Sequence, residues 1–158
     1  MKRYQNVALA LCIVCLATIC CISILRPMRF ERQKTARENE IKASLIAIRN
    51  AENAYLAQNG VFCNSLDTLV AQGLLDKKAL QLSFTDKPLF HLVVKQEKNA
   101  SGAERSVMEC SANFLDYLAG MNQQQIISLY ENAATSGEFP GLKIGDLIEF
   151  NDNAGNWE

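Results

Sequence analysis

Nineteen consecutive residues, Val7 to Leu25, carry no charge and are mostly apolar. At ~1.5 Å rise per residue, a helix of that length matches the ~30 Å hydrocarbon core of a bilayer. The run predicts a membrane anchor, with Val7, Leu11, Leu16 and Leu25 in lipid. The competing reading is a signal peptide, whose apolar centre is usually ~7–15 residues and ends in a small-x-small cleavage site. This run is longer, and Ser23-Ile24-Leu25-Arg26-Pro27 offers no such site. Ile19 and Cys20, just ahead of Cys20 and Cys21, are not the small residues that lipoprotein cleavage prefers. Ala8, Ala10, Ala17 and Ser23 allow helix association in the bilayer without demanding it. No second apolar run follows, so a single-pass protein is expected.

The remaining ~130 residues suffice for one compact domain. A net charge of -1 and the lack of a basic stripe argue against a nucleic-acid partner. Three regions are expected: an anchor over 1–27, a juxtamembrane and stalk helix over 28–60, and a globular head over 61–158 that packs with the second half of the stalk. Met28 to Gln58 is free of glycine and proline, and Ile41, Leu45, Ile48 and Tyr55 fall at i, i+4, i+7 and i+14, one face of an amphipathic helix. Arg29 to Glu40 is charged nearly all round. It reads either as a solvated spacer whose Arg26, Arg29 and Arg32 touch anionic head groups, or as a docking surface for a partner's helix. Pro27 permits a bend, although at the start of a turn it is tolerated without one.

Asn59-Gly60 predicts the end of the stalk helix. Ser65 caps a short helix, Leu66 to Gln72, stopped by Gly73. Leu89 to Lys95 and Arg105 to Cys110, around the polar Asn99-Ala100-Ser101-Gly102, read as an antiparallel hairpin. Asn122 with Gln125 three residues later resembles a capping box for a helix running to about Thr135. Gly137 and Pro140-Gly141 close it, and the tail carries an apolar cluster of Leu142, Ile144, Leu147 and Ile148. The fold class is α+β: an N-terminal transmembrane helix, then a long amphipathic helix on a small antiparallel sheet with short extra helices.

Catalytic signatures are missing. His91 is the sole histidine and sits in an alternating strand. There is no P-loop, G-x-G-x-x-G, G-x-S-x-G or H-E-x-x-H. Glu38 with Glu40, or Asp116 near Glu109, would serve as an acid–base pair only in a cleft that raised one pKa. The expectation is a protein without enzymatic activity. Asn99-Ala100-Ser101 fits a glycosylation sequon, a pattern short enough to arise by chance.

Four of the six cysteines lie in the apolar run, where a thiol acts as a small hydrophobe. Cys63 and Cys110 lie outside it. The pair suggests a disulfide closing a loop of about 47 residues and stabilising by roughly 2–4 kcal/mol. The competing reading is two unrelated buried thiols.

The segment Ile46-Ala47-Ile48-Arg49-Asn50-Ala51-Glu52-Asn53-Ala54-Tyr55-Leu56-Ala57-Gln58-Asn59-Gly60-Val61-Phe62, followed by Ser65-Leu66-Asp67-Thr68-Leu69 and Gly73-Leu74-Leu75, resembles the type IV pilin and type II secretion pseudopilin family. There too a long helix ends in a Y-x-x-x-N-G turn before an S-L-D-x-L helix. Asn153-Ala154-Gly155-Asn156-Trp157 is similar to the D-I-G-N-W ending of the major secretion pseudopilin. The resemblance implies a pilin-like head and a bacterial inner-membrane location with the C-terminal domain in the periplasm. Its implied partners are the membrane and the protein subunits of an envelope complex. It also implies a calcium loop at Asp146, Asn151, Asp152 and Asn153, with fewer carboxylates than the family uses. The competing reading of that loop is an asparagine-rich turn bonded to its own backbone. No other cofactor is implied.

The resemblance stops at the anchor. Pilin precursors carry a glycine-ended leader and an intramembrane glutamate that pairs with a neighbouring N-terminus during assembly, whereas Val7 to Leu25 has no ionisable acid or base other than thiols. The expected function is therefore a non-catalytic, single-pass, pseudopilin-like structural or accessory subunit of an envelope secretion or transport assembly. The alternatives are an extracytoplasmic ligand- or calcium-binding sensing module, or an accessory subunit of an ion-driven envelope transport complex. Orientation is contested within the sequence. Arg26, Arg29, Arg32, Lys34 and Arg37 outnumber Lys2 and Arg3, which points the head to the cytoplasm. A disulfide and the resemblance point it outward.

Overall fold

A computed structural model describes residues 2–98, 104–148 and 151–158 of the chain. The predicted hairpin turn and sequon at Asn99 to Gly102 lie outside the described residues. The fold is α+β: one long N-terminal helix, a three-stranded antiparallel sheet and short helices. The chain divides into two compact units, Met1–Ala36 and Arg37–Glu158.

Helix α1 (Lys2–Asn59) runs unbroken through Pro27. Proline removes one backbone donor and restricts the residue before it, yet the helix is not interrupted there. In the first unit the described side chains from Tyr4 to Arg29 are exposed, including every described apolar one from Val7 to Leu25. Thr18 and Ser23 turn their hydroxyls back onto the carbonyls of Val14 and Ile19, so neither presents an unsatisfied donor to its surroundings.

In the second unit, the remainder of α1 buries Ile41, Leu45 and Ile48 completely. The next position on that stripe, i+11 from Ile41, is Glu52, which is equally buried. The helix ends at Asn59, and Gly60 takes the left-handed conformation (φ +76°) while its N–H bonds the Leu56 carbonyl at 2.8 Å. Ser65 then caps α2 (Leu66–Ala71) through the Thr68 N–H. A short 3-10 helix follows at Lys77–Leu80, capped by Asp76.

The sheet runs in the order β1 (His91–Lys98), β2 (Glu104–Asn113), β3 (Gly141–Gly145). Its registers set Leu92 opposite Cys110 and Cys110 opposite Ile144. Period-2 alternation therefore gives one face Leu92 and Val94, half-buried, and Met108, Cys110, Ala112, Leu142 and Ile144, all buried in the core. The opposite face holds His91, Val93 and Lys95, all exposed, with Glu109 and Lys143, and buries Val107 and Ser111 on the central strand. Between β2 and β3 lie α3 (Phe114–Tyr117) and α4 (Gln123–Ser136). Asn122 caps α4 by accepting from the Gln125 N–H at 3.2 Å, and Gly137 ends it at φ +73°. Burying Tyr117, Leu118, Ile126 and Ala133 fixes both helices to the unit.

The tail forms a fourth layer of pairing. Gly145 N–H bonds the Ala154 carbonyl and Asn156 N–H bonds the Lys143 carbonyl, so residues 154–156 cover the outer edge of β3. Arg49 of α1 holds both oxygens of Glu158 at 2.9–3.0 Å, and Lys42 lies over the Trp157 ring. These contacts tie the tail to the buried part of α1.

Candidate functional site

Val7, Leu11, Leu16 and Leu25 are exposed on α1, and among the described residues this is the one helix long and apolar enough to cross a membrane. An exposed apolar surface of this kind marks an interaction with lipid or protein. Arg26, Arg29 and Arg32 follow it, all exposed. On a helix they recur every three residues and so drift slowly round one side, where guanidinium groups meet phosphates well.

The solvated spacer expected to reach Glu40 is shorter than that. Arg37 donates to the carbonyls of Tyr117 and Ala119 at 2.7 and 3.0 Å and lies over the Phe84 ring. Glu38 accepts from the buried Tyr117 hydroxyl at 3.2 Å. Burial, and then the charge and hydrogen bond of Glu38, raise the Tyr117 pKa far above the ordinary phenol value. Glu40 accepts from both the backbone N–H and the hydroxyl of Ser83. Charge in a sequence thus conceals a second use, holding carbonyls and loop N–H groups that would otherwise lack partners.

Cys63 and Cys110 do not form the expected bridge. Both are buried free thiols. The Cys63 sulfur is turned to the Ser65 carbonyl at 3.3 Å, and Cys110 sits on the central strand at the buried face. Between them electrostatically stands Glu52. Its Oε2 accepts the Cys63 N–H at 2.8 Å, while Oε1 is buried without a partner. Burial raises the Glu52 carboxyl to about 7, against the lowering effect of the Cys63 N–H. Burial, then the charges of Glu52 and Glu109, push the Cys110 thiol up to about 12, so it is held protonated and inert as a nucleophile. Glu52 is the polar residue that sequence reading missed. Its signal was available: it occupies the one stripe position between Ile48 and Tyr55 where an apolar residue was due.

Asp146, Asn151, Asp152 and Asn153 line one cavity of about 320 Å³ with Asn53 and Arg105. Asp146 and the side-chain amides of Asn151 and Asn153 are bonded within the protein. Asp146 Oδ2 bonds Lys143 at 2.7 Å and Oδ1 accepts the Ile148 N–H at 2.8 Å. The Asn151 amide donates to the Ala154 carbonyl and that of Asn153 to Asn53. Asp152 and Asn153 both have φ of 56°, a conformation these two residue types tolerate in turns. Among the described residues, no three His, Cys, Asp or Glu side chains are grouped to hold a metal. Nearby, Lys143 also bonds Glu109 at 3.0 Å. Burial works to lower its pKa, but the bonds to Asp146 and Glu109 outweigh burial and raise it. His91 is exposed on the opposite, outer face of the sheet.

No protein-family model, curated protein or solved structure matches this chain.

Proposed function

We propose that this protein is a single-pass, membrane-anchored, non-catalytic subunit of an envelope secretion or transport assembly, with a pilin-like head carried on α1. The observation that supports it is the contrast along α1: nineteen uncharged, mostly apolar residues from Val7 to Leu25, followed in the same helix by a stripe buried in a folded head. An uncharged exposed helix gains by entering lipid, and each backbone group within it is already paired. The Y-x-x-x-N-G and S-L-D-x-L segments, here the end of α1 and the start of α2, carry the pilin-like part of the reading.

The head is placed on the periplasmic side of a bacterial inner membrane on the resemblance alone. With Cys63 and Cys110 unbridged, a disulfide no longer argues for that side, and the basic flank after Leu25 argues against it. The buried native thiols cannot report sidedness, but Ser128, exposed on α4, can after S128C substitution. A membrane-impermeant maleimide should label it in intact spheroplasts. Crosslinking in native membranes with mass spectrometry tests the subunit reading. Reproducible crosslinks from the head or anchor to other envelope proteins are expected, and a chain found only as an uncrosslinked monomer overturns it.

A further inference from the structure

The sheet has one covered edge and one open edge. The tail occupies β3, whereas among the described residues no strand lies beyond β1. Backbone directions on β1 follow from the bonds on the far side. Lys143 and Gly145 point to the tail, so Ile144 pairs with Cys110. Glu109 and Ser111 then turn to β1, bonding Val93 and His91. The backbone N–H and C=O groups of Leu92, Val94 and Gln96 are left facing outward.

That edge runs along a groove. A cavity of about 940 Å³ borders Phe90 and Leu92, and a second of about 340 Å³ borders Val94 and Gln96. Asn64 lines both. The β1 edge they border, Phe90 to Gln96, is about 20 Å long at the rise of a strand. The groove's other wall is α2 and the 3-10 helix, with Leu66, Val70 and Leu80 facing in. β1 has neither proline nor bulge, and its charged residues, Lys95, Glu97 and Lys98, lie in its second half, which leaves His91 to Val94 without an edge charge.

We propose that this groove takes one extended segment of a partner chain, added antiparallel or parallel to β1 as a further strand. An unpaired row of backbone groups selects a polypeptide over a small molecule. Asp67, Asp86, Lys77 and Lys87 around the larger cavity cancel in charge, so the segment is chosen by main chain and apolar side chains. Alternate residues would face Leu66, Val70 and Leu80 while the others lie beside His91 and Val93, which calls for an alternating apolar–polar sequence. A second copy of this chain is disfavoured, because its own β1 is flanked by the same wall. The proposal deepens the reading of this chain as a subunit, since it supplies the kind of contact a partner makes.

The test uses the full chain in detergent micelles and a phage-displayed library of random nonapeptides. Selection should yield alternating apolar–polar sequences. A synthetic selected peptide should slow hydrogen exchange of the Leu92, Val94 and Gln96 amides at least tenfold. V94P removes one outward N–H without breaking the ladder to β2, and should weaken the peptide more than tenfold with unchanged circular dichroism. N-methylation of alternate peptide nitrogens should do the same without touching the protein. The proposal is overturned if no peptide is selected, if protection maps elsewhere, or if binding ignores N-methylation. It is also overturned if the chain dimerises in detergent and V94P abolishes the dimer, since the occupant is then a second copy. Failure of selection leaves the crosslinking result standing, and failure of crosslinking leaves the groove, so the two readings fall separately.

Discussion

The two halves of α1 solve opposite problems with similar residues. From Val7 to Leu25, isoleucines and leucines are exposed on every side. From Ile41 to Glu52 the same residue types form a stripe that is buried by the head, with exposed positions such as Ala43, Ile46 and Asn50 between. The first half has no periodicity because its surroundings would be apolar all round; the second has a period of 3.6 because only one side is dry. The difference extends to charge. The half suited to lipid, Val7 to Leu25, has no carboxylate, and the half in the protein core buries Glu52 with one oxygen unpartnered.

Four substitutions test this contrast. Leu45→Ala opens a cavity in the core and should cost about 2–5 kcal/mol in urea unfolding of the full chain in detergent, with no change in retention by membranes after an alkaline carbonate wash. Leu16→Arg should do the reverse. It adds about 2.5–3.5 kcal/mol to the cost of insertion, moving protein into the carbonate supernatant, while the urea midpoint of the head stays put.

Glu52→Gln tests the buried carboxylate. With its pKa raised from 4.5 to about 7 in the folded state, the wild-type head keeps its full stability below 4.5 and loses up to about 3 kcal/mol as pH rises through 7. The amide does not titrate, so the stability of Glu52→Gln relative to wild type should rise between pH 5 and pH 8 by up to that amount. A difference independent of pH would contradict the assignment. Asn122→Ala is the mildest, removing the α4 cap for about 1 kcal/mol. It should lower the head's urea midpoint only.

Much of this architecture was legible where local chemistry decides it. Asn59-Gly60, Ser65 and Asn122 mark their helix ends because capping needs only a few neighbouring atoms. The alternation in Leu89 to Val94 places Leu92 and Val94 on one face, although the strand itself begins at His91. In the sequence β3 shows only as an apolar cluster in a tail, since glycines bracket Leu142 to Ile144. Those glycines belong to the strand. A Cβ at Gly141 or Gly145 would lie 2.2 Å from the carbonyl oxygens of Ala112 or Met108, so side chains are excluded by close approach to β2.

The candidate sites divide in the same way. Loop residues Asp146, Asn151, Asp152 and Asn153 converge because they are near in sequence, but their bonds to Lys143, Ile148, Ala154 and Asn53 depend on tertiary placement. An even count of cysteines carries no orientation, and the fold turns the Cys63 sulfur to the Ser65 carbonyl instead of to Cys110. The cavities beside β1 gather residues from Tyr55 to Ser106 through tertiary packing, which no local pattern announces.

The central claim is that one helix serves two environments, and spin-label accessibility along it tests this most directly. Nitroxides introduced singly from Val7 to Leu25, and from Ile41 to Glu52, are read in reconstituted bilayers against oxygen and a water-soluble nickel chelate. The account predicts oxygen access without nickel access, and with no helical period, through the first segment; the second should show nickel access with a period of 3.6. Nickel access recurring every three to four residues within Val7 to Leu25 would contradict it, because that half would then be a second amphipathic face and not an anchor.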